Sequence, residues 1–135
     1  MKRSLFLFLA IFISCSLLFA GCGGDTTPPP GKVTTYFHIQ NQFLAPIPGV
    51  SFTYTDPSNQ TCTSPQTDSA GNMTVITTKV GIYSCSSIQY GSMNFTVNPP
   101  LQFYDSQENI DNNATSSYTI TINTSTGAIS VIQNY

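Results

Sequence analysis

From Val33 onward apolar and polar residues alternate with a period of two, and no stretch keeps a helical period. Val33, Thr35, Phe37 and Ile39 alternate with Thr34, Tyr36, His38 and Gln40. Val50, Phe52 and Tyr54 alternate with Ser51, Thr53 and Thr55; Met93, Phe95 and Val97 with Asn94 and Thr96; Tyr118, Ile120 and Ile122 with Thr119, Thr121 and Asn123. Successive side chains of a strand point to opposite faces, so each run supplies one face for a core and one for water. Residues 61–64, 73–78, 82–86, 101–104 and 128–133 are further strand candidates. Turn-forming clusters separate them: Asp56-Pro57-Ser58-Asn59, Asp68-Ser69-Ala70-Gly71-Asn72, Asn98-Pro99-Pro100 and Ser125-Thr126-Gly127. The pattern predicts an all-β protein, with one antiparallel β-sandwich over residues 33–135. About 100 residues suffice to close one such core.

The chain ahead of this domain has a different character. Lys2 and Arg3 precede an apolar run over residues 5–20, the charged and apolar regions of an export signal. The run ends in Phe19-Ala20-Gly21-Cys22, which resembles the lipobox of bacterial lipoproteins, with Phe19 where Leu is commoner. The resemblance implies that residues 1–21 are a signal peptide and that the Cys22 thiol carries a diacylglyceryl group. Other readings compete. A membrane anchor wants about 20 apolar residues, and this run is shorter and broken by Ser14, Cys15 and Ser16. An ordinary signal peptide could be cut near Ala20. Cys15 is followed by apolar Leu17-Leu18-Phe19, so no polar mature segment begins there. Two acyl chains hold a protein firmly, at roughly 0.8 kcal/mol per buried CH₂. The residue after Cys22 is Gly23 rather than the Asp that resembles an inner-membrane retention signal, which points to the outer membrane. Residues 22–32 form a tether; Pro28-Pro29-Pro30 favours polyproline II, and ten such residues span roughly 30 Å.

Three pieces of the domain resemble the carboxypeptidase-regulatory-like and transthyretin-like sandwich modules of bacterial surface proteins: Pro46-Ile47-Pro48-Gly49-Val50-Ser51-Phe52, Thr67-Asp68-Ser69-Ala70-Gly71-Asn72-Met73, and Val80-Gly81-Ile82-Tyr83. In those modules they are a strand entry, an Asp-x-x-Gly turn and a Gly-x-Tyr strand entry. The resemblance covers roughly residues 33–97. It implies an Ig-like, mostly non-enzymatic module and brings no catalytic residues with it.

Charged residues are only 7% of the chain, against about 25% in ordinary domains. Of the four basic residues two sit in the signal, which excludes a nucleic-acid partner held by phosphate contacts. From Cys22 on, Lys32 and Lys79 face Asp25, Asp56, Asp68, Asp105, Glu108 and Asp111, a net charge of about −4, and nearly half the residues are Ser, Thr, Asn or Gln. If Cys22 is lipidated, Cys62 and Cys85 are left as a pair in an oxidising compartment, and a disulfide is expected. It would close a loop of about 24 residues, worth roughly 3 kcal/mol. A metal or redox pair is the rival, without a Cys-x-x-Cys to favour it.

His38, the single histidine, falls on the polar side of its strand and has no Gly-x-Ser-x-Gly elbow to serve. Asp105, Glu108 and Asp111 lie close together and are a weak Ca²⁺ candidate; a solvated polar loop is the plainer reading, since the spacing fits no EF-hand. No cofactor motif is present. Five Asn-x-Ser/Thr triplets follow from the composition. The expected function is therefore a lipid-anchored, non-catalytic envelope module that binds or scaffolds an envelope or surface protein. Sheets usually guard their edges with charge, above all Lys, and almost none is available here. A surface filament or adhesin subunit joined through edge strands is the alternative. A small envelope hydrolase is the third, and it would need two acids converging in one cleft.

Overall fold

The computed structural model describes residues 31–135; the signal, Cys22 and the tether as far as Pro30 lie outside the described residues. The elements are β1 (Val33–Asn41), β2 (Val50–Thr55), β3 (Thr61–Thr63), β4 (Asn72–Thr77), β5 (Gly81–Tyr90), β6 (Met93–Asp105), α1 (Gln107–Asp111), β7 (Thr115–Ile122) and β8 (Ile129–Asn134). They form a two-sheet sandwich. Sheet A has the order β4-β1-β7-β8 and sheet B the order β3-β2-β5-β6.

The two-residue alternation becomes the core. Val33, Thr35, Phe37 and Ile39 of β1 are buried, as are Val50 and Phe52 of β2, Phe95 and Val97 of β6, and Tyr118, Ile120 and Ile122 of β7. Phe37 of sheet A meets Phe52 edge-on at 5.0 Å and stacks on Tyr118 at 5.5 Å. Thr35, the polar member of the buried set, satisfies its hydroxyl against Ser116 Oγ at 3.0 Å.

Two expectations change. The sandwich is not wholly antiparallel, because β1 and β7 run parallel, with Phe37 opposite Tyr118. The cause is α1, which delivers the chain to the end of the sandwich where β1 begins, so both strands start there. Thr34 N donates to Ala114 O at 3.0 Å, and Gly31 lies so near that a Cβ would fall 2.1 Å from Ile110 O. We call this the entry end. The second change concerns Asn98-Pro99-Pro100, which does not turn the chain but lies within β6. Between the pairs Cys85↔Leu101 and Ser87↔Thr96, β5 advances two residues and β6 five, so the prolines occupy a bulge. Proline is tolerated there because β6 is an edge strand.

Candidate functional site

Polar chemistry collects at the entry end. Asp56 organises its own turn, accepting from Ser58 N at 2.8 Å and Gln60 N at 2.9 Å. Lys79 Nζ reaches it at 2.5 Å and also meets Ser58 Oγ at 3.1 Å. That bond holds Asp56 below the usual carboxylate range and raises Lys79. Tyr83 donates its hydroxyl to Lys79 O at 2.9 Å. The cluster is therefore an ion pair pinning two turns, with both partners held in their charged forms.

Asp105 closes β6, is buried, and accepts a hydrogen bond from the Thr77 hydroxyl across the two sheets. Burial pushes its carboxyl up, and the Thr77 donor opposes that. The neutral form is thus favoured on folding, so this site supports the fold most below about pH 4 and less as pH rises through its raised native value. Thr77→Val removes the donor and leaves a buried carboxylate unserved. It is expected to cost about 1–3 kcal/mol at pH 7, with the deficit shrinking towards about pH 3 as Asp105 protonates. Urea denaturation at the two pH values measures it; an equal deficit at both would assign the loss to packing.

The three acids considered for Ca²⁺ are not brought together. Asp105 faces inward, whereas Glu108 and Asp111 are exposed on α1, where Gln107 Nε2 donates to Asp111 at 2.7 Å. The expected loop is this short helix, capped by Ser106 Oγ, which accepts from Asn109 N at 3.1 Å. His38 lies on the outer face of sheet A, bonded to Asn72 Oδ1 at 2.9 Å.

Cys62 and Cys85 are also kept apart. Both are free thiols. Cys62 sits on β3 and Cys85 on β5, each opposite Tyr54 of the intervening β2. Two strand spacings are about 9.6 Å, beyond the roughly 7 Å that a disulfide spans between Cα atoms. The expected bridge is therefore not formed in this fold. Burial pushes the Cys85 thiol up to about 11, so it is an inert core side chain.

The sheet edges differ in a way relevant to partners. On sheet B, β3 has only three residues, and the chain after it seals β2 with side chains: Ser64 Oγ accepts from Phe52 N at 2.8 Å and Thr67 Oγ1 from Val50 N at 2.9 Å. The opposite edge carries the proline bulge. Among the described residues sheet A has no such guards: β4 and β8 are regular six-residue edges without charge or proline. Each shows an exposed isoleucine, Ile76 and Ile132. Beside β8 the sandwich gapes in a groove of about 530 Å³, lined by Val97, Pro99, Leu101, Ile129 and Val131.

At the end of the sandwich away from the entry, Phe43 and Leu44 project into solvent, 79% and 71% exposed. The turn is held by Asn41, whose Oδ1 accepts from Phe43 N at 2.9 Å and Ala45 N at 3.0 Å. Leu44 has φ +64°, a left-handed backbone that costs a branched residue about 1 kcal/mol or more. The composition signalled the uncharged edges; nothing in the sequence distinguished the edge strands from the central ones.

No protein-family model matches the chain, and no curated protein does. Among solved structures, the sandwich is similar to BcpA, the major pilin subunit of Bacillus cereus, at 16% identity over 70% of this chain, with a TM-score of 0.49. The match spans 30% of that pilin. The dioxygenase domain of a dioxygenase–carbohydrate-binding protein fusion from Streptomyces sp. SirexAA-E is similar at 11% identity, over 73% of this chain and 84% of that one, with a TM-score of 0.46. The chain itself is an all-β, two-sheet sandwich.

Proposed function

We propose that this protein is a non-catalytic, lipid-anchored module of the bacterial cell envelope that binds or scaffolds a protein partner by strand addition at sheet A. One observation carries the reading: both edges of sheet A are regular, uncharged and free of proline, while both edges of sheet B are blunted. An unguarded edge offers a row of unpaired N–H and C=O groups, and the chemistry that satisfies them is another strand. The anchor rests on the lipobox-like Phe19-Ala20-Gly21-Cys22, and Gly23 favours the outer membrane. The alternative, a surface filament or adhesin subunit, is favoured by the same fact in a stronger form, because a sheet open on both sides can be extended on both.

The test is site-directed crosslinking in native membranes from Ile76 and Ile132, in wild type and in Cys22→Ser. A reproducible crosslinked protein is expected from one or both edges, and Cys22→Ser is expected to leave the membrane fraction after a salt wash. No crosslink above background from either edge overturns the binding reading. Retention of Cys22→Ser overturns the anchor. Turnover of a glycan, ester or peptide that Asp or Glu substitutions abolish without unfolding overturns the non-catalytic reading.

A further inference from the structure

We infer that the strand added at β8 is the β8 of a second copy, antiparallel about a two-fold axis. The inference rests on the edge-binding reading above and names its partner. Four observations lead to it.

The first is charge. Copies with a net charge of about −4 repel one another, so an interface between them must lie where the acids are not. Ile129–Asn134 has none, whereas the uncharged β4 edge follows closely on a turn containing Asp68. The second is direction. β4 and β8 both run opposite to β1 and β7, so they run the same way. A translated copy would join β8 to β4 in parallel, whereas a two-fold axis normal to the sheet joins β8 to β8 antiparallel, the pairing that is slightly more stable per residue.

The third is the face pattern. Val131 pairs with core Ile120 and is half-buried, whereas Ile132 pairs with Thr119 and is 61% exposed. A one-residue slip would turn the incoming core face to water. Continuity of both faces therefore requires opposed residues of the same parity. That leaves two central registers, Val131 against its twin or Ile132 against its twin. The fourth is the groove. Ile129 and Val131 of the incoming strand would lie over the gap lined by Val97, Leu101, Ile129 and Val131, adding apolar cover where the sandwich is open.

The experiment uses the full-length lipoprotein in its native membrane, in a Cys62→Ser background, with Val131→Cys, Ile132→Cys and, as control, Thr74→Cys on β4. Opposed residues of an antiparallel pair have Cα atoms about 4.5–5.5 Å apart, within disulfide reach. Mild oxidation is expected to give a disulfide dimer from Val131→Cys or Ile132→Cys, at least tenfold above Thr74→Cys, on a non-reducing gel. Ile132→Lys, a charge on an already exposed side chain, is expected to keep the fold by circular dichroism and to cut chemically crosslinked dimer at least tenfold. Dimer no greater than the Thr74→Cys control from either β8 position overturns the inference, as does undiminished dimer in Ile132→Lys. A crosslink from Ile132 to a different protein alone overturns it and leaves the edge-binding reading standing; silence from both edges overturns both.

Discussion

Phe37→Ala is expected to cost about 3–5 kcal/mol, against a total stability of about 5–15 kcal/mol for a domain of this kind. Phe37 is 2% exposed and is where the two sheets meet. From β1 of sheet A it reaches Phe52 and Phe103 of sheet B, at 5.0 and 6.3 Å, while stacking on Tyr118 of its own sheet. Phe103 continues the row by stacking on Tyr83 at 5.1 Å, and Tyr83 lies 6.3 Å from Tyr54. Truncation therefore removes a ring from a connected row and leaves a void that a close-packed core refills only in part. The neighbouring Tyr36 points the other way and is half-exposed; Tyr36→Ala is expected to stay within about 0.5 kcal/mol. Urea denaturation of the three proteins measures the contrast. Equal midpoints for the two variants would refute the assignment of β1's faces.

That contrast also marks what the sequence makes legible. Alternation assigned the faces of β1 and β7 and the inward residues Val50, Phe52, Phe95 and Val97, because in an unbroken strand side-chain direction depends only on position; Ser51 is nevertheless buried and Met93 exposed. It failed where a bulge intervened. Ser86 and Ser87 separate buried Cys85 from buried Ile88 by one residue too many for a period of two, so β5 continues to Tyr90 where the pattern ends near Ser86. The prolines of β6 read as a turn because their local preference is for one; edge position and a bulge override it. Pairings between distant segments were not legible at all. The parallel β1–β7 pair depends on which end α1 delivers the chain to, and the placement of β2 between Cys62 and Cys85 depends on the order of sheet B. Counting cysteines gives candidates for a bond without giving neighbours. The same limit applies to the candidate site. Scarcity of charge was visible, and with it the prospect of unguarded edges, but which strands stand at the edge is a property of the assembled sheet. The Thr77–Asp105 bond is of this kind too, since its partners lie on different sheets.

Gly71→Ala is the second large effect, and here the loss comes from the backbone rather than the core. Gly71 ends the Asp-x-x-Gly turn with φ +74°. Its N–H donates to Asp68 O at 3.0 Å, and its carbonyl accepts from Ile39 N of β1 at 2.8 Å. Asp68 Oδ1 fixes the rest of the turn by accepting from Ala70 N and Asn72 N, each at 2.9 Å. A Cβ at position 71 would lie 2.4 Å from Ile39 O and 3.0 Å from Pro46 Cβ. The first of those atoms is backbone of a central strand, and no rotamer change moves it. The left-handed φ costs an alanine about 1–2 kcal/mol, and forcing the close contact adds about 1–3 kcal/mol, so a loss of about 2–5 kcal/mol is expected. Gly91 separates the two terms: it also has a positive φ, +57°, but nothing stands within 4 Å of its Cβ position. Gly91→Ala is expected to cost only about 1–2 kcal/mol. Thermal melts of both variants decide it, and equal losses would mean that the contact with Ile39 relaxes freely. The turn also sets where β4 begins against β1, with Asn72 opposite His38 and Met73 opposite Phe37. A shifted turn therefore loosens the β4 edge before the rest of sheet A. In Gly71→Ala, hydrogen exchange is expected to speed up first over residues 72–77, while β7 and β8 keep their protection; uniform acceleration across sheet A would show that β4 does not open as a separate unit.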